Sequence, residues 1–184
     1  MRIQAFENSY FSSVTYLIDD CTLIDPGDYR SDFKRVNTVL LTHVHFDHIY
    51  GLNELLSHKK DILVFTNLEG REMLLNAKLN LSWYHESPFV FSNANNVCIV
   101  KDNDEILLSN GLAVKAVFTP GHNHSCVTWM TDDMLFTGDS YIPGIKTITN
   151  LPGGNRKQAE ESLRLIHQLA IGRSVYPGHK VNLK

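Results

Sequence analysis

The segment Thr42-His43-Val44-His45-Phe46-Asp47-His48 constrains this chain more than any other. It places four metal-competent side chains within six residues, directly after the apolar run Val39-Leu40-Leu41. Packing alone does not call for that density of imidazole and carboxylate in one turn. A metal does, because neutral imidazole and carboxylate are ordinary ligands of zinc and its neighbours. The spacing also limits the backbone. Residues two apart do not share a helical face, whereas in an extended segment they point the same way. His43 and His45 are therefore expected to grip one ion, while Asp47 and His48, past a bend, reach another.

Three further segments follow the same grammar, in which an apolar strand runs out, a small or turn residue follows, and a ligand-type side chain appears. They are Phe118-Thr119-Pro120-Gly121-His122, Phe136-Thr137-Gly138-Asp139 and Tyr176-Pro177-Gly178-His179. In each a glycine precedes the candidate ligand, as suits a backbone that must bend sharply or pass close to something. If these strand ends share sheet edges, their turns converge on one point held rigid by the sheets beneath. His43, His45, Asp47, His48, His122, Asp139 and His179 then make seven candidate donors. That is too many for one ion and fits two that share a bridging carboxylate. Five of the nine histidines fall in these positions, which chance packing does not explain.

Composition narrows the partners. Over 184 residues the chain carries 43% apolar and 20% charged side chains with a formal net charge of −3. These values suit a globular protein handling a small molecule, and they leave no basic footprint for nucleic acid or an anionic membrane. Cys21, Cys98 and Cys126 are sparse, odd in number and unpaired by spacing, which fits a reducing compartment. The N-terminus has no apolar core of a secretory signal, so a cytoplasmic location is expected. Monomer and homodimer are both compatible with these data.

The periodicity predicts strands at 14–18, 21–24, 36–41 and 62–65, then at 97–100, 105–108, 112–118, 126–130, 134–136 and 174–176. It predicts helices at 49–58, 68–79 and 155–170; the last carries an apolar stripe of Ala159, Leu163, Ile166 and Ala170. No linker or repeat interrupts the chain, so one domain over 1–184 is expected. Strands and helices in this order suggest a layered α/β architecture, sheet on sheet with helices outside.

The four motifs together resemble the metallo-β-lactamase superfamily, and within it the glyoxalase II-like hydrolases. The resemblance runs through Thr42 to His48, Thr119 to His122, Phe136 to Asp139 and Tyr176 to His179, and so spans nearly the whole chain. It implies a four-layer αββα sandwich of two packed mixed sheets with the site at their shared edge. It also implies that His43, His45 and His122 hold one divalent ion, that Asp47, His48 and His179 hold the other, and that Asp139 bridges them. Zinc is the expected metal, with iron or manganese as options. Some features depart from the family. Glyoxalase II proper has a further helical region that helps bind the glutathione thioester, and with the sequence ending five residues after His179 that region is expected to be missing. True β-lactamases often carry Cys where Asp139 stands, which disfavours β-lactam hydrolysis. His124 and Cys126 follow His122 where the family tends to have small residues or Pro, and Cys126 reads as a small buried residue.

The leading expectation is a dinuclear hydrolase in which a hydroxide shared by the two ions attacks a small thioester, ester or lactone. Asp47 would orient that nucleophile or take its proton. Tyr141, two residues after Asp139, would face the same side if the chain stays extended, and would donate to the developing oxyanion. Tyr10 and Phe11 are candidates for an apolar flap, Trp83, Tyr84 and His85 for a pocket wall, and Lys146 or Arg156 for contact with an anionic group. Three alternatives compete: a mononuclear iron persulfide dioxygenase on His43, His122 and Asp139, a phosphodiesterase, and a non-catalytic metal-binding protein on the same fold.

Overall fold

The computed structural model describes residues 1–180. Its first sheet has six strands in sequential order: β1 (Ile3–Glu7), β2 (Val14–Ile18), β3 (Thr22–Ile24), β4 (Thr38–Leu40), β5 (Leu63–Thr66) and β6 (Val97–Ile99). The first three pair antiparallel and β3 through β6 pair parallel. The second sheet has five strands: β7 (Glu105–Leu107), β8 (Ala113–Phe118), β9 (Val127–Met130), β10 (Met134–Gly138) and β11 (Ser174–Pro177). It is antiparallel except for the parallel pair β10–β11.

Side-chain alternation assigns the layers. Val14, Tyr16 and Ile18 of β2, Ile24 of β3 and Leu40 of β4 join Val114, Ala116, Trp129 and Phe136 of the second sheet in one buried cluster. The intervening residues Leu17, Leu23, Val39 and Val64 face the other way. They pack on Ile49, Leu52, Leu55, Leu56, Met73 and Leu74 from three helices, α1 (Phe46–Ile49), α2 (Leu52–His58) and α3 (Leu68–Leu74). Successive strand residues point to opposite faces, so a sheet buried on both sides needs apolar residues at every position, as β2 and β4 largely have. The fourth layer is α4 (Arg156–Leu169), N-capped by Asn155, whose side chain accepts from the Gln158 amide at 3.1 Å. Ser162 on α4 donates to the Pro120 carbonyl at 2.6 Å, which ties the helix to the end of β8. The fold is therefore the αββα sandwich. Among the described residues no helix is long and apolar enough to cross a membrane.

Several elements differ from the sequence expectation. β1 was not anticipated, because its Ile-Gln-Ala-Phe-Glu composition is too polar to stand out; it is an edge strand defined by pairing with β2. The helix expected at 49–58 is two pieces. The chain turns at Gly51, where a Cβ would sit 2.6 Å from the Asp28 backbone. The helix expected to reach Leu79 ends at Leu74, and the Asn76 side chain then accepts from the amides of Lys78 and Leu79 in a turn.

The strands bearing the four motifs end at one rim. The Thr42 carbonyl, just past β4, accepts from the Val127 amide at 2.7 Å, and the Leu41 carbonyl accepts from Trp129 Nε1–H at 2.9 Å. These two bonds fasten the first sheet to the second beside the site.

Candidate metal centre

Each donor stands just beyond a strand, and the two sheets supply them from opposite sides. His43 and His45 follow β4, and Asp47 and His48 open α1. His122 follows β8, Asp139 follows β10 and His179 follows β11. Two glycines permit the convergence. Gly138 takes φ +50° with its Cα against the Thr42 side chain, and a Cβ on Gly178 would collide with the Asp139 carboxylate.

Six of the seven candidate donors fall into two clusters with Asp139 between them, and a third cluster, Asp25 with His43 and His48, overlaps both. Ligand atoms of His43, His45 and His122 lie within 4.8 Å of one another, as do those of Asp47, His48 and His179. Asp139 faces both, its Oδ2 3.6 Å from His122 Nε2 and 3.2 Å from His179 Nε2, and its Oδ1 3.7 Å from His48 Nε2.

Outer hydrogen bonds aim the rings. His122 Nδ1–H donates to the Ile148 carbonyl at 2.9 Å and His179 Nδ1–H to the Phe11 carbonyl at 2.9 Å. His48 Nδ1–H donates to Asp25 Oδ2 at 3.1 Å. His43 Nδ1 lies 3.3 Å from Thr42 Oγ1, whose own proton goes to Asp25. A carbonyl only accepts, so these contacts place a proton on Nδ1 and make Nε2 the nitrogen that faces inward and can coordinate once it is deprotonated. His45 is turned the other way, with Nδ1 inward at 2.9 Å from His122 Nε2 and Nε2 at 3.1 Å from Asn123 Nδ2.

This arrangement fits a metal better than a void. His48 Nε2 and His179 Nε2 face each other at 3.3 Å, an approach of two lone pairs that calls for a proton or a cation between them. His43 Nε2 and Asp139 Oδ1 are buried without a hydrogen-bond partner, which is costly for polar atoms unless something else satisfies them. Nitrogen and carboxylate oxygen are also the donor types that zinc and iron accept.

The electrostatics agree. Burial, with neighbouring imidazoles, pushes His43 well below the ordinary range and His45 down to about 3, so both stay neutral and able to coordinate. Burial also disfavours charge on His48, but Asp47, Asp139 and Asp25 outweigh it and raise His48 well above its usual value; Asp139 does the same for His179. Burial would raise Asp47 and Asp139, yet the surrounding histidines hold both below the normal carboxylate range.

Asp25 is a functional residue that the sequence reading missed. It is fully buried in Asp25-Pro26-Gly27, where it resembles a strand-ending turn. Its Oδ1 accepts from the Thr42 amide at 2.7 Å, and its Oδ2 accepts from the Thr42 hydroxyl and from His48. Both oxygens are thus used outside the donor cluster, and Asp25 acts by orienting His48 directly and His43 through Thr42. Burial raises its pKa while His48 and Thr42 pull it down. Asn123 and Ser125 play a similar part, since Ser125 Oγ accepts from the Val44 amide at 3.0 Å and donates to Asn123 Oδ1 at 2.7 Å.

The expectation for Tyr141 is corrected. The chain does not stay extended after Asp139, because the Ser140 amide donates to the Thr137 carbonyl at 3.2 Å and closes a turn. The Tyr141 ring therefore packs edge-on against His167 of α4 at 5.0 Å and lines a separate cavity. Arg156 pairs with Glu160 at 3.0 Å. Cys126 is buried, its thiol pushed up to about 12 by burial, and His124 is exposed and belongs to none of the donor clusters.

Beside the donors opens a cavity of about 620 Å³, with His45, Asp47, His122, Asp139 and His179 at its floor. Of the flap and wall candidates, Phe11, Tyr84 and His85 line it, whereas Trp83 packs under Lys78, whose Nζ is 5.3 Å from the ring centroid. Tyr10 stands behind the wall, 5.1 Å edge-on from Phe46.

Comparison with known proteins places this geometry. The model of the metallo-beta-lactamase superfamily matches residues 10–179. The chain belongs to the metallo-beta-lactamase superfamily. Among superfamily relatives, it is 26% identical to a hydroxyacylglutathione hydrolase of Erwinia tasmaniensis, covering 98% of this chain and 65% of that protein. It is 32% identical to an atrochrysone carboxyl ACP thioesterase of Aspergillus fumigatus, covering 85% of this chain and 46% of the relative. It therefore spans less than two thirds of the length of both. The crystal structure of the BLEG-1 B3 metallo-beta-lactamase superposes with a TM-score of 0.83 at 22% identity, over 98% of this chain and 92% of the other, which establishes a shared fold.

Proposed function

We propose that this chain is a metal-dependent hydrolase that holds two divalent ions and cleaves a small thioester, ester or lactone. One observation carries the reading. Asp139 faces two separate three-residue donor groups at once, 3.6 Å from His122 Nε2 and 3.2 Å from His179 Nε2. His43, His45 and His122 would hold one ion, Asp47, His48 and His179 the second, and Asp139 both. The two curated relatives, a hydroxyacylglutathione hydrolase and an ACP thioesterase, support acyl–sulfur substrates.

Bound divalent ions supply an acidified water and a Lewis acid for the substrate carbonyl. The protein's part is positioning. The cavity floor presents the substrate carbonyl to the donor cluster, and Asp47, kept ionised by its histidine neighbours, takes the proton that the attacking water gives up. Water oxygen bonds to the acyl carbon, the carbon–sulfur or carbon–oxygen bond breaks, and the thiol or alcohol leaves with a proton. No Ser or Cys nucleophile is required; Cys126 is buried with a raised pKa.

The test is elemental analysis of the purified protein, followed by a panel of thioesters, lactones, phosphodiesters and a β-lactam with the metal found. Two zinc or iron ions per chain with thioester turnover support the reading. One iron per chain with persulfide-dependent oxygen uptake would replace it with the dioxygenase, and full metal content without turnover of any substrate would leave a binding protein.

A further inference from the structure

We infer that the cavity above the donor cluster selects an uncharged substrate with an apolar acyl group, aryl or medium-chain alkyl; this rests on the hydrolase reading of the same site. The cavity, about 620 Å³, is within the size range of small-molecule sites. Apart from the donor side chains, its polar groups are the His85 imidazole and the Tyr84 hydroxyl. The rest of the lining is apolar: Phe11, Phe46, Leu81, Ile148, Leu151 and Pro152, with the Tyr84 ring.

Three of these side chains are unusually exposed for their size: Phe11 at 67%, Tyr84 at 75% and Ile148 at 52%. Large apolar groups standing in water around the mouth of a polar cleft gain free energy when a ligand covers them. The wall is also set in place before any ligand arrives. Phe46 lies tilted on His85 at 3.8 Å, with Tyr10 edge-on to Phe46 at 5.1 Å and to Tyr50 at 5.2 Å behind it. Interlocked rings present their faces at little ordering cost.

The charges point the same way. Among the described residues no Lys or Arg lines the cavity. Lys180, beside His179, is engaged by Glu7 at 2.8 Å, and Arg156 by Glu160 at 3.0 Å. Lys146 approaches His122 and Asp139 only through a side cavity of about 30 Å³, which has room for about one water and not for a carboxylate arm. An anionic acyl or leaving group reaching past the donor cluster would therefore meet apolar lining with no Lys or Arg of the described residues to receive it, whereas an apolar group would find matching surfaces.

The experiment uses N-acetylcysteamine thioesters of acetate, hexanoate, phenylacetate and succinate with the metal-loaded protein. In parallel, metal-free protein is titrated with the ketone analogue of the phenylacetyl thioester, in which a methylene separates sulfur from carbonyl. Hexanoyl and phenylacetyl substrates are expected to exceed acetyl and succinyl in kcat/KM by at least about tenfold. Phe11→Ala and Tyr84→Ala, both at exposed positions that the fold tolerates, should each weaken analogue binding about fivefold. Succinyl turnover matching hexanoyl, or analogue binding that is absent or indifferent to both substitutions, overturns the inference. If the analogue binds and both variants weaken it while no thioester is cleaved, the apolar site stands and the hydrolase reading falls.

Discussion

His48 and Asp25 meet at 3.1 Å, Nδ1 to Oδ2, in a fully buried contact that no solvent reaches. Because Asp25 also holds the amide and hydroxyl of Thr42, which in turn contacts His43, one carboxylate sets the ring orientation of a donor in each group. The contact exists because β3 and β4 run parallel in register, Ile24 opposite Leu40, so that Asp25 and Thr42 leave the sheet side by side.

Asp25→Asn keeps the shape but replaces one acceptor oxygen with a donor, which must then face the proton of His48 or of the Thr42 amide. Metal affinity should fall about 10- to 100-fold, measured by competition with a chromophoric chelator. Unchanged affinity with an unchanged circular dichroism spectrum would refute the orienting role.

Asp139→Ala removes the carboxylate that lies 3.6 Å from His122 Nε2 in one group and 3.7 Å from His48 Nε2 and 3.2 Å from His179 Nε2 in the other. Bound metal should drop to at most a fraction of one ion per chain, and hydrolysis by more than about 100-fold. Normal metal content by elemental analysis would disprove the bridging assignment.

His179→Ala should be selective. It deletes a donor of the group containing Asp47 and His48 and leaves His43, His45 and His122 intact. About one ion per chain should remain; equal loss of both would argue against two separable positions.

Zinc binding at pH 7 should release protons. In the metal-free fold His48 and His179 have raised pKa values, so they tend to hold protons that an ion must displace. Their contribution to metal-free stability is complete below the unfolded value near 6.5 and is lost as pH rises through the raised values. His43 and His45 act in the opposite sense. They stay neutral when folded but protonate below about 6.5 when unfolded, so the fold loses stability from them as pH falls from there towards the value of about 3 for His45. Calorimetry of zinc binding in buffers of different ionisation enthalpy reports the release; identical heats in all buffers would contradict it.

Trp129→Ala should cost about 3–5 kcal/mol in denaturant unfolding, since Trp129 is fully buried between the sheets and its indole N–H satisfies the Leu41 carbonyl. A loss below about 1 kcal/mol would mean that this contact does not fasten the sheets.

The donors were legible in the sequence because imidazoles after Gly or beside one another have no cheaper explanation. The H-x-H spacing separated His43 and His45 from Asp47 and His48, and His45 is extended; the places of His122, His179 and Asp139 followed only from the family resemblance. Asp25 was not visible. Asp-Pro-Gly is an ordinary turn, and its role depends on strand pairing that no local pattern reports. Tyr141 failed for a related reason: the two-residue rule holds only in a strand, and Gly138 at φ +50° ends β10. The boundary of α3 was missed because helical periodicity continued past Leu74 while Asn76 offered the backbone a competing turn.

The two bonds that join Thr42 and Leu41 to β9 have a consequence for biogenesis. Each three-residue group draws on both halves of the chain; His43, His45 and His122 can meet once β8 has docked, whereas Asp47 and His48 wait for His179, just after the last strand. Filling of the second group would then be a closing step of maturation, and an ion held there would work as a clasp that resists the parting of the sheets.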